Sequence, residues 1–315
     1  MKLAFLVDPL PKLKVTKDSS IAMMRAAQAR GHEIWTCQRE GLCWEEGTVW
    51  LSAQLIALTD GGAGAWYEVV SEARVRADQF DALLMRQDPP FDFEYLTATW
   101  LLERAEAQGA RVWNRPRAIR DHSEKLSILE FPQFTPATMV ARDPERIHAF
   151  IDALGDVILK PLDGMGGSQI FRVHREDHNR YVIVETLTHH GHRTIMAQEY
   201  LPQIRDGDKR VLVIAGEVMP YALARIPKPG ETRGNLAAGG RGVAVPLTEA
   251  EREVAEALAP ILWQRGLLIV GLDLIGGRLT EINVTSPTCM VEIAAQTGFS
   301  VANEVIAALE RLAAA

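Results

Sequence analysis

The apolar positions of this chain follow two rhythms. Lys2–Val7, Ile34–Thr36, Asp81–Met85 and Arg111–Trp113 are short runs of strand character, with Ala82, Leu83 and Leu84 as one buried stretch. Helical spacing falls between them. One helix is capped by Ser19 or Ser20, runs to Arg30 and closes at Gly31. Another is capped by Asp92, runs through Gln108 and stops at Gly109. Such alternation predicts a parallel, helix-covered sheet over the first part of the chain. Residues 37–78 have no regular period and receive no assignment.

The pattern changes after about residue 121. A helix over Ser123–Leu129 precedes Pro132 and Pro136. Strand Val157–Lys160 enters a glycine-rich loop, Pro161 to Ser168, and Ile170–Val173 returns. Ile195–Gln198 leads into Glu199-Tyr200-Leu201-Pro202. Strands near Arg210–Ile214 and Glu217–Tyr221 follow, then a helix from Glu249 to Arg265 ended by Gly266, and a last helix near Val301–Leu312. These breaks divide the chain into units 1–121, 122–202 and 203–315.

Leu272 to Val284 reads as a β-hairpin with Asp273 on its first strand and Glu281 and Asn283 on its second. Glu281 and Asn283 are two apart and share a face. A two-residue Gly276-Gly277 turn would set residue 273 opposite 280 and point Asp273 away. A three-residue loop over Ile275-Gly276-Gly277, or an equivalent bulge, restores one shared face. Leu272, Leu274, Thr280, Ile282 and Val284 then form the opposite face. Oxygen ligands of this kind suit Mg²⁺ shared with substrate phosphates; an ordinary polar hairpin face is the alternative.

Composition narrows the class. The chain has 315 residues, 47% hydrophobic and 24% charged, which is the profile of an ordinary globular protein of two or three units. Its 34 Lys plus Arg against 41 Asp plus Glu give a formal charge of −7, against a general binder of nucleic acid or anionic membrane. No apolar run approaches a membrane span, and the N-terminus opens as a strand without a signal-peptide pattern. Cys37, Cys43 and Cys289 are sparse and lack Cys-x-x-Cys spacing, pointing to a reducing compartment, the cytoplasm, without a disulfide framework.

Several residues could carry chemistry. Asp163-Gly164-Met165-Gly166-Gly167-Ser168 brings glycines close enough for backbone N–H groups to meet phosphate oxygens, although neither G-x-x-x-x-G-K-[ST] nor G-x-G-x-x-G is present. Lys160, at the end of the preceding strand, can reach a phosphate. Lys125 gains interest only by pairing with Lys160, and His122 reads as a local cap partner. The connection Arg225 to Arg241 carries glycines and cations that could close over an anionic substrate. Arg86 stands at a strand's C-terminal end, where open α/β sheets bind ligands; a salt bridge to Asp88 is the alternative.

Together these motifs resemble the ATP-grasp ligases, and more closely the bacterial glutathione synthetase family, over nearly the whole chain. The runs that carry the resemblance are Met85–Asp92, Leu159–Gly167, Asp206–Val213, Glu231–Gly242 and Leu279–Thr288. The resemblance implies an α/β ATP-grasp fold, α+β in its C-terminal part, in which two α+β subdomains clasp ATP behind an N-terminal parallel-sheet domain. It implies ATP-dependent joining of γ-glutamylcysteine to glycine through an acyl phosphate, releasing ADP and phosphate. Lys125 and Lys160 would hold ATP phosphates with backbone help from Gly166 and Gly167. Glu199, Tyr200 and Leu201 would line the adenine site, and Asp208 would take the ribose hydroxyls. Asp273, Glu281 and Asn283 would bind two Mg²⁺ ions, for which Mn²⁺ could substitute. Arg210, Arg225 and Arg241 would stabilise the transferring group; Arg86, Arg233, Gly240 and Ser286 would hold substrate. A homotetramer is expected by the same resemblance. The competing readings are another carboxylate–amine ligase and a nucleotide-binding regulatory module without turnover.

Overall fold

The structure, a computed structural model, describes residues 1–60, 65–164, 166–236 and 239–314. Its N-terminal part runs β1 (Lys2–Leu6), α1 (Ser19–Ala29), β2 (Glu33–Glu45), β3 (Thr48–Leu58), β4 (Tyr67–Arg76), β5 (Ala82–Met85), α2 (Phe93–Ala107), β6 (Val112–Trp113) and α3 (Pro116–Asp121). The sheet order is β4-β3-β2-β1-β5-β6. The parallel pairs are β2–β1, β1–β5 and β5–β6, while β3 and β4 add on antiparallel. The unassigned stretch 37–78 is therefore an antiparallel wing, and the sheet is mixed rather than purely parallel. Its period was hidden for two reasons. β2 is bulged between Cys37 and Leu42, and β4 is almost wholly exposed, so it shows no inward alternation. Asp18 caps α1, its Oδ1 accepting from Ser20 and Ile21 N–H at 2.8 and 2.9 Å, so neither serine is the cap. Asp92 caps α2 as expected, its Oδ1 accepting from Tyr95 N–H at 2.7 Å.

The central part carries β7 (Thr138–Ala141), α4 (Pro144–Leu154), β8 (Asp156–Pro161), β9 (Phe171–His174), α5 (Arg180–Thr188) and β10 (Ile195–Glu199). Its antiparallel sheet, ordered β7-β10-β8-β9, is covered by α4 and α5 around a core of its own: Ile147, Ile151, Val157, Leu159, Val173, Val184, Leu187, Ile195 and Ala197. The α-helix expected over Ser123–Leu129 is instead a turn followed by a 3₁₀ segment at Leu126–Glu130. The Glu124 carbonyl accepts from Ile282 N–H at 2.9 Å and is lost to an i→i+4 ladder.

The C-terminal part runs β11 (Asp208–Ile214), β12 (Glu217–Ile226), β13 (Arg241–Pro246), α6 (Glu249–Gln264), β14 (Ile269–Ile275), β15 (Arg278–Asn283), α7 (Met290–Thr297) and α8 (Val301–Ala314). All neighbours in its sheet, ordered β13-β12-β11-β14-β15, are antiparallel. One face packs on α6 and on Ile128 and Phe131. The other joins α7, α8, α1 and β1 in one continuous core through Leu212, Leu223, Ile269, Ile293 and Val305. The first and last parts of the chain are thus welded together, with Asn114 as a buried strut. Its Nδ2 donates to the Ile269 and Val284 carbonyls at 2.8 and 2.7 Å, and its Oδ1 accepts from Ile269 N–H at 2.8 Å.

Candidate functional site

A cleft of roughly 680 Å³ opens where the three sheets meet. Its floor is the β14–β15 hairpin. Ile275 pairs with Arg278, so the turn is the two-residue Gly276-Gly277, both at positive φ (56° and 75°). A bulge between Asp273 and Leu274 then pairs Asp273 with Glu281. The shared acidic face is reached by the bulge, and the expected three-residue loop is absent. Thr280 is the extra residue. It leaves the apolar face, where Leu279 takes its place beside Leu272, Leu274, Ile282 and Val284, all fully buried. The Thr280 hydroxyl donates to the Asp273 carbonyl at 3.1 Å.

Asp273 is buried between two guanidinium groups. Arg210 Nε and Nη2 approach its two oxygens at 2.5 and 2.8 Å, and Arg225 Nη2 reaches Oδ2 at 2.8 Å. Burial alone would raise the Asp273 carboxyl. Arg210 and then Arg225 overcome it and hold the acid well below the usual carboxylate range. Arg225 also donates to Asp208 Oδ2 at 2.5 Å. Burial pushes Asp208 the other way, up to about 6, against Arg225. Asp208 Oδ1 is buried without a partner. Arg225 belongs to strand β12 and is buried; it is not on the long connection, which spans 227–240.

The two lysines meet the hairpin and the glycine loop. Lys125 Nζ lies 3.0 Å from Glu281 Oε1 and donates to the Gly164 carbonyl at 2.6 Å. Lys160, buried, donates to the Thr280 carbonyl at 3.3 Å, and burial lowers its pKa. Gly166 and Gly167 line the cleft at positive φ. A Cβ on Gly167 would sit 2.6 Å from Asn235 Oδ1, so only glycine admits this approach of the connection. Met165, Ala237 and Ala238, which fall in the two glycine-rich runs, lie outside the described residues. From the connection, Arg233 donates to the Gly167 carbonyl at 3.3 Å and pairs with Glu231 at 2.6 Å.

Glu199, Tyr200 and Leu201 all line the cleft. Tyr200 is held by the Arg172 guanidinium, 3.6 Å from its ring centroid, which in turn pairs with Asp156 at 2.6 Å. On the opposite wall Arg86 is buried, donating to Ser20 Oγ at 3.2 Å and the Pro287 carbonyl at 2.8 Å, with Nη1 unpartnered. Its carbonyl accepts from Ser286 Oγ at 3.1 Å. Arg86 forms no salt bridge to Asp88 among the described residues. His122 caps locally, with Nδ1 2.7 Å from the Ala118 carbonyl.

Sixteen of the eighteen expected site residues meet at this cleft; Arg241 and Gly240 do not. Arg241 opens β13, exposed, and Gly240 is packed against the Gly234 carbonyl, where no Cβ fits. Gln198 and Glu124 are among the lining residues that escaped the sequence. Gln198 is a buried polar residue whose Nε2 donates to Thr138 Oγ1 at 3.0 Å. Glu124 accepts from Val284 N–H, Thr285 N–H and Thr285 Oγ at 2.9, 3.0 and 2.8 Å. The signal at hand was its place before Lys125.

The donor set fits Mg²⁺. Among the described residues no three His, Cys, Asp or Glu side chains form a closed cage. Two carboxylates and an amide instead face an open cleft, as expected for an ion completed by phosphate oxygens. The Asn283 Nδ2 donates to the Gly271 carbonyl at 3.3 Å, leaving its amide oxygen free to ligate. Lys125, Arg210 and Arg225 balance the acids with positive charge that an ion would share.

Comparison with known proteins converges on one family. The family model "Prokaryotic glutathione synthetase, N-terminal domain" matches residues 1–120, and "Prokaryotic glutathione synthetase, ATP-grasp domain" matches 124–298. The glutathione synthetase of Ralstonia nicotianae is 58% identical over 313 residues, covering 99% of this chain and 96% of that protein. That of Vibrio cholerae is 52% identical over 311 residues, covering 99% and 98%. Among solved structures, the D-cycloserine synthetase DcsG aligns with a TM-score of 0.66 at 16% identity over 98% of this chain and 99% of its own. The ATP-grasp ligase PsnB, complexed with minimal precursor, Mg and ADP, aligns with a TM-score of 0.64 at 19% identity over 99% and 98%. At these identities the two structures speak for the fold, which is ATP-grasp.

Proposed function

The chain belongs to the prokaryotic glutathione synthetase family, and from that premise we propose how its cleft performs the reaction. The protein is an ATP-dependent ligase that makes glutathione. In our reading a carboxylate oxygen of γ-glutamylcysteine attacks the γ-phosphorus of ATP and the bond to ADP breaks. The glycine amine then attacks the acyl-phosphate carbonyl, the C–N bond forms and phosphate leaves. Phosphoryl transfer of this kind needs positioning and charge neutralisation more than a protein nucleophile.

Lys125 and Lys160 hold the phosphates, with N–H groups of Gly166 and Gly167. Glu199, Tyr200 and Leu201 border the base, and the unpartnered Asp208 Oδ1 takes a ribose hydroxyl. Asp273, Glu281 and Asn283 would hold two Mg²⁺, or Mn²⁺ in substitution, which would supply positive charge to the phosphates. Arg210, Arg225 and Arg241 stabilise the transferring group. Arg86, with Nη1 free, takes a substrate carboxylate beside Ser286, Arg233 and Gly240. The connection 227–240 closes to keep water from the acyl phosphate. Arg241 and Gly240 join the site on that closure. The units 1–121, 122–202 and 203–315 act as the substrate wall and the two halves of the nucleotide clasp. The protein works in the cytoplasm as a homotetramer on small-molecule substrates. No helix is long and apolar enough to cross a membrane among the described residues.

The observation that carries this reading is the 3.0 Å contact between Lys125 and Glu281, which supports assigning the lysine to phosphate and the acid to the metal. A phosphate-release assay tests it. Release that requires both γ-glutamylcysteine and glycine is expected. Release with other carboxylate–amine pairs at equal rate would make the chain a broader ligase, and none with any pair would leave a nucleotide-binding module.

A further inference from the structure

Glu124 is a half-buried carboxylate with an unusual load. One oxygen, Oε1, accepts three hydrogen bonds, from Val284 N–H, Thr285 N–H and Thr285 Oγ. Its backbone carbonyl accepts from Ile282 N–H. Four bonds from one residue therefore grip the segment 282–285, which starts within the metal-binding strand and ends beside Ser286. Lys125, the next residue, reaches Glu281 and the Gly164 carbonyl. Ser286 in turn donates to the Arg86 carbonyl, and the Arg86 guanidinium to Pro287. Residues 124–125 are thus the junction of three parts of the cleft: the acids of β15, the glycine loop and the wall that holds Arg86.

A surface turn needs no such anchor. Withdrawing a carboxylate from water is costly unless it is hydrogen-bonded, and a hydrophobic residue would pack against this turn at less cost. What the half-buried acid does provide is a fixed distance between Asn283 and Ser286, which lie on either side of its three donors. We propose that Glu124 is a positioning residue of the ligase: it holds the metal-binding end of β15 and the Ser286 substrate loop in register, so that the phosphoryl group and its acceptor meet in line. The proposal rests on the assignment of Glu281 and Asn283 to metal and Ser286 to substrate given above.

The test compares steady-state kinetics of three variants. In Glu124→Ala, kcat falls about a hundredfold while KM for ATP stays within about twofold, because the geometry of the reacting groups is lost and nucleotide binding is not. Glu124→Gln keeps an amide oxygen that accepts the same bonds and retains about a third of wild-type kcat. Thr285→Val, which removes one donor and leaves the acid, lowers kcat roughly fivefold with the same split, and covers the case in which Glu124→Ala does not fold. The proposal is overturned if Glu124→Gln is as slow as Glu124→Ala, which would give the charge itself the role. It is also overturned if Thr285→Val matches wild type, or if kcat and KM for ATP deteriorate together. Glu281→Gln, run in parallel, isolates the premise: an unchanged Mg²⁺ dependence there removes the metal assignment, whatever Glu124 does.

Discussion

The β14–β15 hairpin and the connection 227–240 both present charge to the cleft, and they are built in opposite ways. The acids of the hairpin stand on strands whose other face, Leu272, Leu274, Leu279, Ile282 and Val284, is fully buried. Folding alone orders them, and Asp273 already has both partners. The connection has no strand or regular helix among its described residues, and Arg233 is tied by Glu231 and one carbonyl of the glycine loop. Segments with so little apolar burial open at small free-energy cost. The contrast separates two tasks. On the roles proposed above, charges that hold an ion are pre-organised by folding, while charges that admit and then enclose substrate are left for the ligand to order.

The largest effect should come from the pre-organised side. Asp273→Asn leaves Arg210 and Arg225 buried without their shared carboxylate, and breaking a buried pair in this way costs about 3–5 kcal/mol. Urea unfolding of Asp273→Asn should show that loss, together with loss of ligase activity. An unfolding midpoint equal to wild type would mean that the hairpin is not electrostatically set, and the contrast would fail at its stronger end.

The connection should answer in the reverse manner. Arg233→Ala should lower kcat/KM on the order of tenfold to a hundredfold while leaving the urea midpoint unchanged, since its partners are half exposed and its role arises with bound anion. Trypsin should cut within 227–240 in the free enzyme, at Arg233–Gly234 because Pro229 blocks Lys228, and ATP with γ-glutamylcysteine should protect that bond. Equal cutting with and without ligands would remove closure from the account.

Much of the site was legible because it is local. The glycine loop, the strand-end Lys160 and the pair Glu281, Asn283 are all read from neighbouring residues. The failures are those in which a partner lies far along the chain or a face loses its contrast. Strand β12 was expected to end at Tyr221, yet Ala222, Leu223, Ala224 and Arg225 are all buried and continue it to Ile226. With both faces covered, the polar–apolar alternation that marks a strand disappears, so Arg225 was read as part of the connection. Glu124 finds its donors some 160 positions away, and no local pattern announces that. Asp18, Ser19 and Ser20 are all good caps, and only backbone geometry chose Asp18. The hairpin shows a subtler limit. Its shared acidic face could be demanded from the sequence, but a bulge and a longer loop satisfy that demand equally.

The smallest expected effect sharpens the electrostatics within the pre-organised side. Asp208 and Asp273 share Arg225, yet one is pushed up to about 6 by burial and the other held low by two arginines. For Asp208 the folded state holds its proton more tightly than the unfolded chain. Its contribution to stability is therefore fully present below the unfolded value near 4 and is lost as pH rises through about 6. Asp208→Asn removes this contribution without touching Asp273. Subtracting the variant's stability–pH curve from that of wild type should leave a fall on the order of 3 kcal/mol between about pH 4 and pH 6, and a flat line above. Urea denaturation across that range measures it. A difference that instead rises with pH would mean that Arg225 serves Asp208 before Asp273, and that the two acids exchange roles in the cluster.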